Sequence, residues 1–156
     1  MKTFFSKMAS SSLDKKDLEI FQSLDQENYG RELARNVAEK LKSSSSKLDD
    51  NGNDVSSKGL YLSHRDYCGI GLYFFKGEFT LGEVNDGMGP HPVLITFESL
   101  EEFVEWLANQ NDQSMSLYTV SSFNNQTISK IRLKYYLDDN YNPGWNPYCE
   151  YLRERR

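Results

Sequence analysis

The chain has few of the residues that mark secreted, metal-binding or nucleic-acid-binding proteins. Its 156 residues include two cysteines and two histidines, which are too few for a disulfide framework or a cluster of metal ligands. Lys and Arg number 18 against 23 Asp and Glu, and this acidic balance argues against direct binding to nucleic acid or to an anionic membrane surface. No apolar run is long enough to span a bilayer, and Lys7 interrupts the apolar start of the chain, so no signal peptide is predicted. These absences predict a cytoplasmic protein.

Catalytic motifs are also scarce. The sequence has no GxSxG elbow and no phosphate-binding glycine loop, and we expect neither a cofactor nor a metal ion. His64 and Cys68 lie four residues apart, but no residue that would activate the thiol is evident between or beside them. The chain is therefore predicted not to be an enzyme. The alternative, a small hydrolase or ligand-binding protein, would need His64, Asp66 and Cys68 to converge in one cleft.

Acidic residues are concentrated in one part of the chain. Residues 59–124 hold two basic and nine acidic side chains, a net charge of −7, whereas residues 1–58 hold ten of each. Residues 125–156 hold six basic and four acidic side chains. Aromatic residues make up 13% of the chain, with ten Tyr and nine Phe. An acidic surface with interspersed aromatics is suited to binding a basic partner.

Apolar periodicity and turn residues predict an α+β fold, with N-terminal helices and a central, mainly antiparallel sheet that has helices packed on one face. Residues 1–58 are predicted to be a helical segment, whose clearest helix is 31–42, followed by a flexible Ser/Asp/Asn linker at 43–58. Residues 59–156 are predicted to be the α+β core, most simply as one domain with the segment before it. Within this core we expect strands at 59–63, 70–75, 78–84 and 93–97, with a hairpin turn at Lys76-Gly77.

The C-terminal half is predicted to alternate helices with one further strand. Ser99 and Glu102 form a capping-box pattern that predicts a helix to about residue 109, with Trp106 partly exposed. A weak strand is expected at 115–120 and a last helix at 127–137. No regular element is predicted for residues 140–147, where Asn, Pro and Gly are frequent.

Several segments between residues 67 and 137 resemble a known family. These are 71–75 (GLYFF), 77–84 (GEFTLGEV), 97–108 (FESLEEFVEWLA), 125–128 (NQTI) and Arg132-Leu133. Over about half of the chain, they are similar to small bacterial immunity proteins encoded beside polymorphic toxins of the contact-dependent growth inhibition and Rhs type. The resemblance implies a cytoplasmic protein that binds one toxin C-terminal domain and blocks its active site, or the surface that binds its substrate or activator.

Many toxins of this type are nucleases, which must present basic residues to phosphates. An inhibitor that competes for such a surface should be acidic, in agreement with the block at 59–124. We define two candidate contact patches and leave the choice between them open. The first patch is Glu98, Glu101, Glu105 and Trp106, with Glu83 and Asp86 on the hairpin side. The second patch is Asp138, Asp139, Tyr141 and Trp145. A further alternative is a generic adaptor domain that binds several partners with modest affinity.

Overall fold

The computed structural model describes residues 27–44, 60–63, 69–84, 90, 92–118, 128–142 and 145–154. Within these ranges the fold is α+β, with five helices and four strands. The helices are α1 (Arg31–Ser43), α2 (Leu100–Ala108), α3 (Asp112–Ser116), α4 (Lys130–Leu137) and α5 (Trp145–Glu154). The strands are β1 (Leu60–Ser63), β2 (Gly69–Phe75), β3 (Glu78–Val84) and β4 (Val93–Phe97).

The four strands form an antiparallel sheet in the order β1-β2-β3-β4, so each strand pairs with its neighbour in sequence. The predicted turn at Lys76 and Gly77 is confirmed, with φ angles of 52° and 79° at these two residues. Phe75 pairs with Glu78 across this turn. Two consecutive residues with positive φ match the twist of the paired strands, and this conformation favours glycine at position 77.

The pairing of β3 with β4 shifts register between Leu81 and Gly82. The chain preceding β4 crosses closely over this point, and the Glu83 N–H donates to the Pro92 carbonyl at 2.9 Å. A Cβ atom at position 82 would lie 2.4 Å from Pro90 Cβ and 3.0 Å from the Pro92 oxygen. Only glycine therefore permits this approach without a shift of the backbone.

One face of the sheet forms the main hydrophobic core with the helices. The strands contribute Ile70, Leu72, Phe79, Leu81, Ile95 and Phe97, and the helices contribute Ala34, Val37, Ala38, Leu41, Phe103, Val104, Leu107 and Leu133. The Phe103 ring stacks on Phe79 at 4.7 Å and meets Phe97 edge-on at 5.2 Å. On the opposite face Tyr73 and Thr80 pair across β2 and β3 and are each only 3% exposed. Both faces of the central strands are therefore buried.

Helix α1 confirms the predicted helix at 31–42 and shares the hydrophobic core of the sheet. Its buried residues are Ala34, Val37, Ala38 and Leu41, which recur at helical spacing. The chain just before α1 is held to the end of α2, because the Tyr29 and Gly30 N–H groups donate to Gln110 and Ala108 carbonyls at 2.9 and 3.0 Å. These two bonds place α1 beside α2.

Helix α2 begins at the predicted Ser99 cap, but the reciprocal bond of Glu102 goes to the N–H of Glu98 and not to that of Ser99. The Ser99 hydroxyl accepts from the Glu102 N–H at 3.1 Å, and the Glu102 carboxylate accepts from the Glu98 N–H at 3.1 Å. The expectation that Trp106 is partly exposed is wrong, since it is 8% exposed. Its ring packs on Phe97 at 4.9 Å and on Tyr118 at 6.2 Å. The apolar face of α2 is thus wider than its Leu and Phe spacing indicates.

The strand expected at 115–120 is also wrong where the structure describes it. Residues 112–116 form α3, whose start is fixed by a reciprocal pair of bonds: Asn111 Oδ1 accepts from the Ser114 N–H at 2.8 Å, and the Asn111 N–H donates to Ser114 Oγ at 2.9 Å. This local cap favours a helical turn over a weak alternating pattern. Residues 119 and 120 lie outside the described residues.

The last predicted helix starts later than expected and is followed by another. α4 begins at Lys130, where the Ser129 hydroxyl accepts from the Arg132 N–H at 3.2 Å. The expectation of no regular element at 140–147 is wrong for 145–147, because α5 begins at Trp145. Pro147 is compatible with this helix, since a first-turn residue needs no N–H. The helical segment before residue 27 and most of the linker at 43–58 lie outside the described residues.

Candidate partner-binding surface

The acidic residues of the central block stay at the surface. Seven of them are described, and all are exposed or half-buried: Glu78, Glu83, Glu98, Glu101, Glu102, Glu105 and Asp112. Lys76 is the one Lys or Arg among the described residues of this block. The folded chain therefore keeps the acidic excess accessible between residues 69 and 118.

The first patch lies on the solvent-facing side of α2, where α1 supplies basic residues. Arg35 donates two hydrogen bonds to the Glu101 carboxylate at 2.9 and 3.1 Å. Arg31 lies 2.8 Å from Glu105 and 3.5 Å from Glu101. The hydrogen bond from Arg35 lowers the pKa of Glu101, and the same bond raises the pKa of Arg35. A basic partner must therefore compete with two arginines of the chain itself for Glu101 and Glu105.

The other described members of the first patch form no ion pair with the arginines of α1. Glu98 is exposed, and its carboxylate has no hydrogen bond or ion pair with a described residue. Trp106 lies beneath the patch in the core, so its ring supports α2 and is not offered to a partner. Glu83 is half-buried near the end of β3. Asp86 lies outside the described residues.

The second patch surrounds the end of α4 and includes a group of tyrosines. Asp138 caps the helix and Asp139 is exposed. Tyr141 is half-buried, and its ring meets Tyr135 and Tyr136 edge-on, with both pairs of ring centroids 5.1 Å apart. Trp145 is the first residue of α5, and its side chain lies outside what the structure describes.

Lys40 connects α1 to this second patch. Its ammonium group donates to the Tyr136 carbonyl at the end of α4 and lies 4.5 and 4.9 Å from the ring centroids of Tyr136 and Tyr141. Burial lowers the pKa of Lys40, while Asp139 and Asp138 act in the opposite direction. A cation at this position suits the negative end of the helix dipole. Lys40 therefore stabilises the end of α4.

A cleft of about 310 Å³ separates the end of α4 from α5. Its lining residues are Tyr135, Asp138, Asn140, Asn142, Pro147, Glu150, Tyr151 and Glu154. These described lining residues thus supply three carboxylates and two tyrosines, and none of them is Lys or Arg. Glu150, Tyr151 and Glu154 were absent from the sequence prediction because α5 was not predicted. The frequent aromatic residues of the C-terminal tail are the feature of the sequence that could have indicated a binding surface there.

Behind the second patch lies a buried arginine. Arg132 is 2% exposed, and its guanidinium carbon lies 3.9 Å from the centroid of the Tyr148 ring. Its Nε and Nη2 atoms have no hydrogen-bond partner, and no carboxylate of the described residues forms an ion pair with it. Burial lowers the pKa of this guanidinium. The side chain is therefore held by stacking and packing, without an ionic partner in the described part of the chain.

Other site predictions fall largely outside the described residues. His64, Asp66 and Cys68, the residues of the hydrolase alternative, all lie there. Among the residues that the structure does describe, no group of three His, Cys, Asp or Glu side chains is placed to hold a metal ion. None of the described helices has both the length and the apolar character needed to cross a bilayer.

Comparisons with known proteins returned no relative. No protein-family model matches the chain, and neither the curated proteins nor the solved structures contain a significant match.

Proposed function

We propose that this chain is a cytoplasmic immunity protein that binds and neutralises one toxin domain, and that this domain is a basic nuclease. The chain acts by binding and not by catalysis. The observation that carries the proposal is the acidic excess of residues 69–118, whose seven described carboxylates and single basic side chain stay at the surface. Arg31 and Arg35 of α1 contact two of these carboxylates, Glu101 and Glu105. The family resemblance of the sequence supplies the kind of partner.

The physical argument is complementarity of charge. A nuclease must attract phosphates with Lys and Arg, and those same residues attract a carboxylate surface. Opposite charges across an interface speed the encounter and make it sensitive to salt, while buried aromatic anchors slow dissociation. An inhibitor of this kind needs no acid–base pair, metal or cofactor of its own.

The direct test is co-expression with the toxic C-terminal domain encoded immediately upstream of this chain in its source genome. We expect growth to be rescued, and calorimetry on the purified pair should give a one-to-one complex of nanomolar affinity or tighter. An unrelated toxin domain is the control and should not be neutralised. Absence of both rescue and binding would contradict the proposal, and several weak partners would favour an adaptor domain.

Two charge reversals would show which patch meets the toxin. Glu98→Lys changes the first patch, and Glu150→Lys changes the cleft beside the second patch. Both glutamates are exposed and lack a described partner, so neither substitution breaks an ion pair of the chain itself. Reversal of Glu101 or Glu105 would be harder to interpret, because each contacts Arg31. The reversal on the contacting patch should slow association, most strongly at low salt.

A further inference from the structure

The cleft between α4 and α5 has a volume and a lining suited to binding one side chain. Its volume of about 310 Å³ is at the lower end of the range of about 300–1,000 Å³ found for small-ligand pockets. We infer that this cleft binds one arginine side chain of the protein partner. The inference rests on the proposed function, which supplies a partner with a basic surface, and it names the subsite and the chemistry of the contact.

The lining matches a guanidinium in charge. Asp138, Glu150 and Glu154 contribute three carboxylates, and none of the described lining residues is Lys or Arg. The Glu150 carboxylate is exposed and has no hydrogen bond or ion pair with a described residue. The first patch differs in this respect, since Arg31 and Arg35 already contact Glu101 and Glu105. A cation that enters the cleft therefore meets the carboxylate of Glu150, which no described basic residue engages.

The aromatic part of the lining favours arginine over lysine. Tyr151 is half-buried and lines the cleft, and its ring packs on that of the buried Tyr135, with the two centroids 4.6 Å apart. A planar guanidinium stacks on such rings and directs its five N–H donors outward to carboxylate and amide oxygens. An ammonium group lacks this planar geometry. Asn140 and Asn142 also line the cleft, and an amide oxygen is an acceptor of the kind that guanidinium donors need.

The rim of the cleft is ordered by its own hydrogen bonds. Tyr135 donates its hydroxyl proton to the Asn142 carbonyl at 2.8 Å, and the same oxygen accepts from the Asn142 N–H at 3.2 Å. Asp138 Oδ1 accepts from the Asn140 N–H at 2.9 Å, and the Asp138 carbonyl accepts from the Tyr141 N–H at 3.0 Å. A site held in place before binding loses less entropy on complex formation.

The cleft can be tested without the toxin. The full chain, labelled with ¹⁵N, would be titrated with N-acetyl-L-arginine N-methylamide and followed by NMR. The matched neutral probe is the citrulline analogue, which keeps the shape and removes the charge. We expect saturable shifts at 138–142 and 147–154 with the arginine probe and no saturation with citrulline. Equal responses to both probes, or shifts centred on α2, would overturn the inference.

Two variants make the assignment residue-specific. Glu150→Gln should weaken binding of the arginine probe by about two- to fivefold, the range for one exposed charge pair. Glu98→Gln is the matched control, since it removes an equally exposed carboxylate from the other patch, and it should leave probe binding unchanged. Equal effects of the two variants would show general attraction to an acidic protein and would overturn the assignment of the cleft.

Binding and neutralisation measurements with the toxin distinguish failure of this inference from failure of the proposed function. If the toxin binds and is neutralised while Glu150→Lys changes neither rate nor affinity, the cleft assignment fails and the inhibitor proposal stands. If the arginine probe occupies the cleft but the toxin neither binds nor is neutralised, the proposed function fails and, with it, the partner named for the cleft. Neutralisation together with a marked loss on Glu150→Lys supports both.

Discussion

Replacing Arg132 by methionine should destabilise the protein much less than breaking a buried ion pair would, although Arg132 is among the largest buried side chains that the structure describes. The reason lies in its surroundings. Its Nε and Nη2 donors are buried without partners, and no described carboxylate offsets its charge. Methionine keeps an unbranched apolar stem of similar reach and removes both donors and the charge.

The size of the effect follows from three contributions. Each buried donor without a partner costs about 1–3 kcal/mol, so removal of two favours folding by about 2–6 kcal/mol. Loss of the stacking on Tyr148 costs about 2 kcal/mol for a desolvated cation–π contact. The smaller volume of methionine costs about 1–2 kcal/mol more. The free energy of unfolding should therefore change by an amount between a decrease of about 2 and an increase of about 3 kcal/mol.

Urea unfolding of the wild type and of Arg132→Met would measure this balance, provided that the slope of the transition is unchanged. Lys134→Met is the matched control, since Lys134 is an exposed cation on the same helix. It should change the free energy of unfolding by less than about 0.5 kcal/mol. A loss of about 3–5 kcal/mol for Arg132→Met is the value typical of breaking a buried ion pair. That result would refute the view that packing and stacking hold Arg132 in place.

Two further predictions concern backbone geometry and helix capping. Gly82→Ala should lower the free energy of unfolding by about 1–3 kcal/mol, because its Cβ must push against Pro90, and an unchanged urea midpoint would contradict the close approach. Ser99→Ala should cost about 0.5–2 kcal/mol by removing the oxygen that accepts from the Glu102 N–H, and Ser99→Asp should restore most of it. If the aspartate variant is as unstable as the alanine variant, the capping explanation is wrong.

Some elements were readable from neighbouring residues alone. The helix at 31–42, the start of α2 at Ser99 and the turn at Lys76-Gly77 were all predicted, and each is fixed by interactions within one or two turns of chain. Where a local signal was weak, the prediction failed. A weak alternation of apolar and polar residues at 115–120 predicts a strand, whereas the structure has the helix α3, whose start is fixed by the Asn111 cap.

The candidate sites were less predictable, because their character depends on residues far apart in sequence. The sequence predicts Glu101 and Glu105 as contact residues for a partner, but the arginines that contact them lie 66 and 74 residues earlier in the chain. Arg31 and Arg35 are spaced by four, as are Glu101 and Glu105, so each pair recurs on one side of its helix. That spacing is visible in the sequence, but it does not say which two helices meet.

The sequence by itself therefore determined the α+β class, the acidic block and the local starts of helices and turns, since these depend on composition and on residues close in the chain. The tertiary structure decided which carboxylates have arginine partners, that Trp106 is buried, and that Asp138 faces a cleft shared with Glu150. The physical reason is that charge pairing and burial are set by helix packing. The packing of α1 on α2 depends on the hydrophobic core that they share, and the packing of α5 on α4 depends on the contacts of Tyr135 with Tyr148 and Tyr151.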